Sequence, residues 1–302
     1  MNAMIFKMIS FISIIIIGYA IKRAGVVKES DGVMLSHIVM KVTLPAFLIT
    51  ATNGITLSWG LVPYIFLGLA GPFVVNGVAY LINRKEPGNI RAISMINASG
   101  YNNGLFLMPI VSGIFPTWAI MYLIFFDIGN SLMVFGGNNA LALAQINKSG
   151  GSLIRQIIGH CVRSIPFMTY FFMIALGLLG IVLPTRVIDI AAIPAAANSF
   201  LCMALIGIKL NFTLDKAALK SVFKTLVAKY AGNLAILALF MVLPIESTAK
   251  LIIALALVTP TPVIAVIYSI AIDAKSKVPP IVATLSTLIS LILMMGLLVI
   301  FG

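Results

Sequence analysis

Apolar residues run in stretches of about 20 along the whole chain, separated by short polar turns, and that is the length a helix needs to cross a bilayer. Ten segments can be marked: 4–21, 33–52, 61–82, 90–114, 117–146, 165–183, 188–210, 222–243, 249–272 and 279–301. The pattern is interrupted inside two of them. The fourth carries Asn97-Ala98-Ser99-Gly100-Tyr101-Asn102-Asn103-Gly104 ahead of Met108-Pro109, and the ninth carries Thr259-Pro260-Thr261-Pro262. Polar side chains and unwound backbone are costly in hydrocarbon unless they face protein or a watery cavity. Both stretches therefore predict broken helices whose halves end at membrane depth. The fold expected is an all-α polytopic membrane protein.

Composition agrees with lipid as the solvent. Of 302 residues, 61% are hydrophobic and 9% charged, against about 25% charged in a soluble chain. No stretch is left over for a soluble domain. The net charge of +12 would suit nucleic acid in a soluble protein, but here the cations lie in turns. Lys22, Arg23 and Lys28 follow segment 1, and Arg84, Lys85 and Arg91 follow segment 3. Lys148, Arg155 and Arg163 follow segment 5; Lys209, Lys216, Lys220 and Lys224 follow segment 7; Lys275 and Lys277 follow segment 9. These 15 stand against Lys7, Arg186 and Lys250 on the opposite side. The bias places the odd-to-even turns in the cytoplasm and both termini outside, in a plasma (inner) membrane. Lys7, an apolar run and Gly18-Tyr19-Ala20 also resemble a signal peptide, but the cations directly after the run favour its retention.

The orientation carries an architectural expectation. The half 1–146 begins outside and the half 165–302 begins inside, with 147–164 as a cytoplasmic hinge containing Ser149-Gly150-Gly151-Ser152. Opposite halves with interruptions at corresponding segments are the mark of an inverted repeat around a transporter site. Segments 2 and 7 also match in carrying Pro45 and Pro194, each expected to kink its helix. The hinge residues 150–164 alternate cations with Leu153, Ile154, Ile157 and Ile158, which predicts an interfacial helix.

At the second break, Pro260 and Pro262 remove backbone donors, Thr261 reads as an N-cap and Pro262 as the first helical residue. At the first, Gly100 and Gly104 permit unwinding, with Asn103 as cap of a half-helix from Leu105. Two helix N-termini converging near the midplane make a donor-rich, positive site suited to a carboxylate. Tyr101, Asn102 and Asn103 can add hydrogen bonds. The candidate substrate set is Asn97, Ser99, Gly100, Tyr101, Asn102, Asn103, Gly104, Thr259, Pro260, Thr261 and Pro262.

Two motif groups resemble the auxin efflux carrier family in its short prokaryotic form, which includes proteins labelled malonate permeases. One is Gly18-Tyr19 with Lys22-Arg23-Ala24-Gly25, followed by Lys41-Val42-Thr43-Leu44-Pro45-Ala46-Phe47. The other is Asn97 to Gly104 leading to Met108-Pro109; Pro260 and Pro262 match more loosely. The resemblance covers essentially the full chain. It implies ten transmembrane helices in two inverted five-helix repeats, with broken helices 4 and 9 crossing at the substrate site. Bile-acid:sodium symporters share that architecture, which keeps a sodium-coupled organic-anion symporter open.

Among other intramembrane polar residues, Asp127 in segment 5 is the clearest coupling candidate, as proton acceptor or cation ligand. Asn130 shares its face. His37, Lys41 and Pro45 are spaced to share a face of segment 2, so His37 can relay protons and Lys41 can offset an anion or stand for a coupling cation. Lys229 reads as a snorkelling lysine, and Cys161 and Cys202 as inert buried thiols.

No metal-ligand spacing, paired acidic motif or Gly-x-x-x-x-Gly-Lys-Ser/Thr run occurs, which argues against an enzyme, a metal site or ATP drive. No cofactor or nucleic-acid partner is expected. The function expected is a secondary transporter moving a small organic anion or weak acid by alternating access, with a channel or sensor on the same fold as alternatives. H+ and Na+ both stand as coupling ions, and a homodimer stays open.

Overall fold

The computed structural model describes residues 3–55, 58–146, 153–213 and 215–301. Helix and turn account for the described residues, with no strand among them. The first half holds α1 (Ala3–Arg23), α2 (Asp31–Ile38), α3 (Leu44–Thr52), α4 (Val62–Ile82), α5 (Gly88–Ala98), α6 (Met108–Ile114), α7 (Ile120–Leu132) and α8 (Asn138–Ala144). Then follow α9 (Leu153–Arg163), α10 (Ile165–Leu178), α11 (Thr185–Lys209), α12 (Leu219–Met241), α13 (Ser247–Leu257), α14 (Val263–Ile272) and α15 (Val278–Phe301). Single π-turns join α2 to α3 (Val39–Thr43) and α7 to α8 (Met133–Gly137), and a third (Asn103–Leu107) leads into α6.

Among the described residues, seven helical stretches are long and apolar enough to cross a bilayer. An eighth is added if α10 is taken with the last turns of α9, which meet it at 82°. Segments 4 and 9 give no continuous stretch, because each is two short helices around a break. Apolar side chains point outward: Ile193, Leu239 and Ile292 are 77%, 72% and 73% exposed. The chain is thus a multi-pass membrane protein.

The helices pack in two groups. In one, α1 lies along α11, and α3 packs on both α11 and α10. In the other, α4 lies along α7 and packs on α12 and α5, with α13, α14 and α15 completing it. The α4–α7 approach is close because Gly68 faces the Phe126 carbonyl and Gly129 the Ile65 carbonyl, where a Cβ would collide with backbone. At one end of α12, Lys224 meets Glu86 of the α4–α5 turn at 2.6 Å.

One local expectation is corrected. Pro45 lies within helical backbone that runs from Asp31 to Thr52, directly after a π-turn, where its missing N–H interrupts the bonding pattern. That π-turn adds the equivalent of one residue and rotates the face, so His37 and Lys41 are exposed while Pro45 is buried. Pro194 lies inside an α11 that runs unbroken through it. The hinge residues 147–152, with Ser149-Gly150-Gly151-Ser152, lie outside the described residues, as do the side chains of Leu153, Ile154, Gln156 and His160. The rest of the hinge is α9, whose Ile157 packs against Gly136. Both cysteines are buried and free.

Candidate functional site

The first break begins where α5 ends. Ser99 is extended, and its hydroxyl donates back to the Met95 carbonyl at 2.6 Å while accepting from the Asn76 amide at 3.1 Å. Gly100 has φ +85°, a left-handed conformation that only glycine adopts without cost. A Cβ there would stand 2.7 Å from Cγ2 of Val134 and 3.4 Å from Cγ of Pro262 in the second break. Tyr101 is then clamped by one amide. Asn130 Oδ1 accepts from the Tyr101 N–H at 3.0 Å, and its Nδ2 donates to the Tyr101 carbonyl at 2.9 Å. The Tyr101 hydroxyl donates to Asn233 at 2.9 Å. Helix resumes after Asn102, whose carbonyl accepts from Phe106 and Leu107.

The second break is held differently. Thr259 closes the end of α13 through its hydroxyl on the Ala256 carbonyl at 2.8 Å. Pro260 cannot donate, so the chain cannot continue the helix. Thr261 donates its N–H to Ser286 at 3.1 Å and its hydroxyl to the Asn97 carbonyl at 2.7 Å. Asn97 in turn donates to Ser269 of α14 at 2.6 Å. The breaks are thus bonded to each other in both directions, by Thr261 onto α5 and by Asn97 onto α14.

That crossing corrects both capping expectations. Thr261 is not the N-cap of α14. Pro262 holds that position and Val263 is the first helical residue, because the Thr261 hydroxyl is spent on Asn97. Asn103 caps nothing either; it opens a π-turn, with Asn102 at the cap position and no side-chain cap bond.

A cavity of ≈ 230 Å³ lies against the crossing. Tyr101 to Leu105 line it from the first break, and Pro262, Val263 and Ile264 from the second. The opening amides of the two half-helices have no intrahelical acceptor. Asp127, Asn130 and Ser131 of α7 form a polar wall, opposite Ser36, His37 and Leu44 of the α2–α3 stretch and Pro166 and Tyr170 of α10. The walls therefore come from both packing groups. Asp127 bridges them: its carboxylate accepts from Asn130 at 2.8 Å on its own helix and from the Tyr170 hydroxyl at 3.0 Å across the boundary. Asp127 has no cationic partner among the described residues; the ion pairs found there both involve Glu86. The Asn103 amide faces Asp127 without reaching hydrogen-bond geometry at either amide atom. Asn102 divides this cavity from a smaller one of ≈ 50 Å³ lined by Lys209 and Thr284.

Of the residues picked from sequence, Tyr101, Asn102, Asn103, Gly104, Pro262, Asp127, Asn130 and His37 face this cavity. Asn97, Ser99, Gly100, Thr259, Pro260 and Thr261 do not line it; the bonds above place them in the joint behind it. Lys41 is exposed and away from the cavity, because the π-turn at Val39–Thr43 turns it outward.

Sequence reasoning missed two residues. Tyr170 reads as one aromatic among many in segment 6. Lys229 does not snorkel: it is fully buried, and its ammonium donates to the carbonyl of Gly100 at 3.0 Å and of Ala98 at 3.4 Å. The order of residues carried no signal for this, since Lys229 lies seven residues into segment 222–243, about 10 Å from its cytoplasmic end, a depth at which a lysine can snorkel.

Among known proteins, no family model matches the chain. It is 28% identical over 212 residues to a protein of Methanothermobacter thermautotrophicus described as an uncharacterized transporter, covering 68% of this chain and 67% of that protein. The membrane helices and this likeness agree on a membrane transporter.

Proposed function

We propose that the chain is a secondary transporter of the auxin efflux carrier type, moving a small organic anion or weak acid, with the cavity at the crossing as substrate site. The observation that carries this reading is one cavity lined by both helix breaks and by Asp127. Half-helix N-termini and free amides suit a carboxylate, and Asn102 and Asn103 supply donors. The volume lies just below the roughly 300–1,000 Å³ of drug-sized pockets, which suits a small acid.

The ten-segment, two-repeat architecture, with halves 1–146 and 165–302, is supported by how segments pair. Segment 1 packs on 7 and segment 2 on 6, and segment 3 packs on 8, as a two-fold axis in the membrane plane would have it. Alternating access is then motion of the group containing α1, α3, α10 and α11 against the group containing the crossing. The Asp127–Tyr170 bond spans that boundary and must break in each cycle. The cavity lies toward His37 and Pro166 at the starts of segments 2 and 6; with odd-to-even turns in the cytoplasm this arrangement faces inward.

Charge balance favours protons as the coupling ion. An anion entering beside Asp127 meets a carboxylate with no ion-pair partner among the described residues, and like charges at that range repel strongly in a low-dielectric site. One proton, carried on Asp127 or on the acid itself, removes the conflict. Asp127→Asn is expected to retain counterflow in proteoliposomes while losing the stimulation of net uptake by a pH gradient. A pH response equal to the parent's would remove Asp127 from coupling, and uptake that needs Na+ at every pH would favour the sodium symporter. Flux without trans-acceleration would indicate a channel, and no flux with binding a sensor.

Asn102→Ala tests the site itself. The Asn102 side chain makes no hydrogen bond to the protein among the described contacts, so its loss should leave the melting temperature unchanged. A lost hydrogen bond to a charged ligand is worth about 1.5 kcal/mol, or roughly tenfold in affinity. Thermal-shift titration with small mono- and dicarboxylates reads both quantities, and unchanged affinity would take Asn102 out of the site.

A further inference from the structure

Lys229 has no task in the cycle just described, yet it is a fully buried charged side chain at the heart of the fold. It projects from the middle of α12 onto the end of α5. Its Nζ donates to the Gly100 and Ala98 carbonyls and lies 5.8 Å from the Tyr101 ring centroid. No carboxylate pairs with it among the described residues. Its contacts are all at the broken end of one half-helix.

The last carbonyls of a helix have no intrahelical donor and form the negative end of its dipole. In a membrane such groups must be satisfied internally. Unwound carbonyls and half-helix C-termini are also where secondary transporters coordinate Na+. Here those carbonyls are already engaged by an ammonium, which carries the same unit charge and three donors, and an aromatic face adds to its hold. The second break is closed without any cation: Thr259 and Thr261 make its side-chain bonds to Ala256, Ser286 and Asn97.

We propose that Lys229 is a tethered cation filling a latent alkali-ion site, formed by the carbonyls of Ala98 and Gly100 and the face of Tyr101. The first break is therefore held without sodium, and truncating the side chain exposes a site that a free monovalent cation enters. Lys229 is a positioning residue: it fixes the direction of the Gly100 carbonyl and so the path of the backbone into Tyr101 and Asn102.

The test reads stability, so its failure leaves the transport reading standing. Purified full-length protein is melted in equal concentrations of sodium, potassium, choline and methylammonium chloride. The parent is expected to melt at one temperature in all four. Lys229→Ala is expected to melt lower in choline and to recover by several degrees in sodium or methylammonium, saturably, as mass action requires. Lys229→Met, whose stem keeps the space filled without a charge, is expected to melt lower in every salt. A Lys229→Ala protein indifferent to the cation overturns the proposal, whether it is stable or not. A sodium shift in the parent as large as in the variant places the ion elsewhere and also overturns it. Should Lys229→Ala not be recovered from membranes, Lys229→Ser, which is as short and leaves the same space, carries the same comparison.

Discussion

Asn130→Ala is expected to lose roughly 3–9 kcal/mol of stability, because three buried polar groups each lose a partner at about 1–3 kcal/mol. The Tyr101 N–H and carbonyl are bonded to the Asn130 amide at 3.0 and 2.9 Å, and Asp127 receives its other donor at 2.8 Å. No neighbouring helix turn can take over, since Tyr101 lies in unwound backbone. The loss should appear as a large fall in melting temperature and in the yield of monodisperse protein. Uptake should fall further than yield, because Tyr101 and Asp127 both line the cavity. A melt within about 1 kcal/mol of the parent would mean that water replaces the amide and that Asn130 does not hold the break.

Gly100→Ala should cost about 2–5 kcal/mol: roughly 1–2 for a left-handed residue with a Cβ and about 1–3 for overpacking. The two causes can be separated. Its Cβ would meet Val134 Cγ2 at 2.7 Å and the Asn138 amide at 3.1 Å. Adding Val134→Ala should therefore recover part of the overpacking cost and none of the backbone cost, read from melts of the single and double variants. Full recovery would assign the whole effect to sterics, and no recovery would assign it to the φ of +85°. Transport should stay impaired in the double variant, because the Gly100 carbonyl that Lys229 holds is still misdirected.

The membrane class, the segment boundaries and the positions of both breaks were legible from the order of residues alone. Apolar length answers to bilayer thickness, and Gly, Pro and Asn inside such a length have few other readings. Asp127 was legible for the same reason, since a lone carboxylate in an apolar helix stands out. Capping was misread at Thr261 and Asn103 because local rules assume that a hydroxyl or amide serves its own helix. At a crossing the nearest acceptor belongs to another segment, and Asn97 lies 164 positions from Thr261. The face shared by His37, Lys41 and Pro45 failed because a π-turn inserts an extra residue that periodicity cannot see.

The sequence by itself determined that this chain lives in a membrane, where its helices run, and which two of them cannot be continuous. Only the tertiary structure decided that the breaks bond to each other, that Tyr170 reaches Asp127 across the boundary of the packing groups, and that Lys229 points inward rather than out. Hydrophobic length is a property of consecutive residues, set by the thickness of the solvent they cross. The partner of a buried polar group is chosen by packing between distant segments, which only the folded chain brings within hydrogen-bond reach.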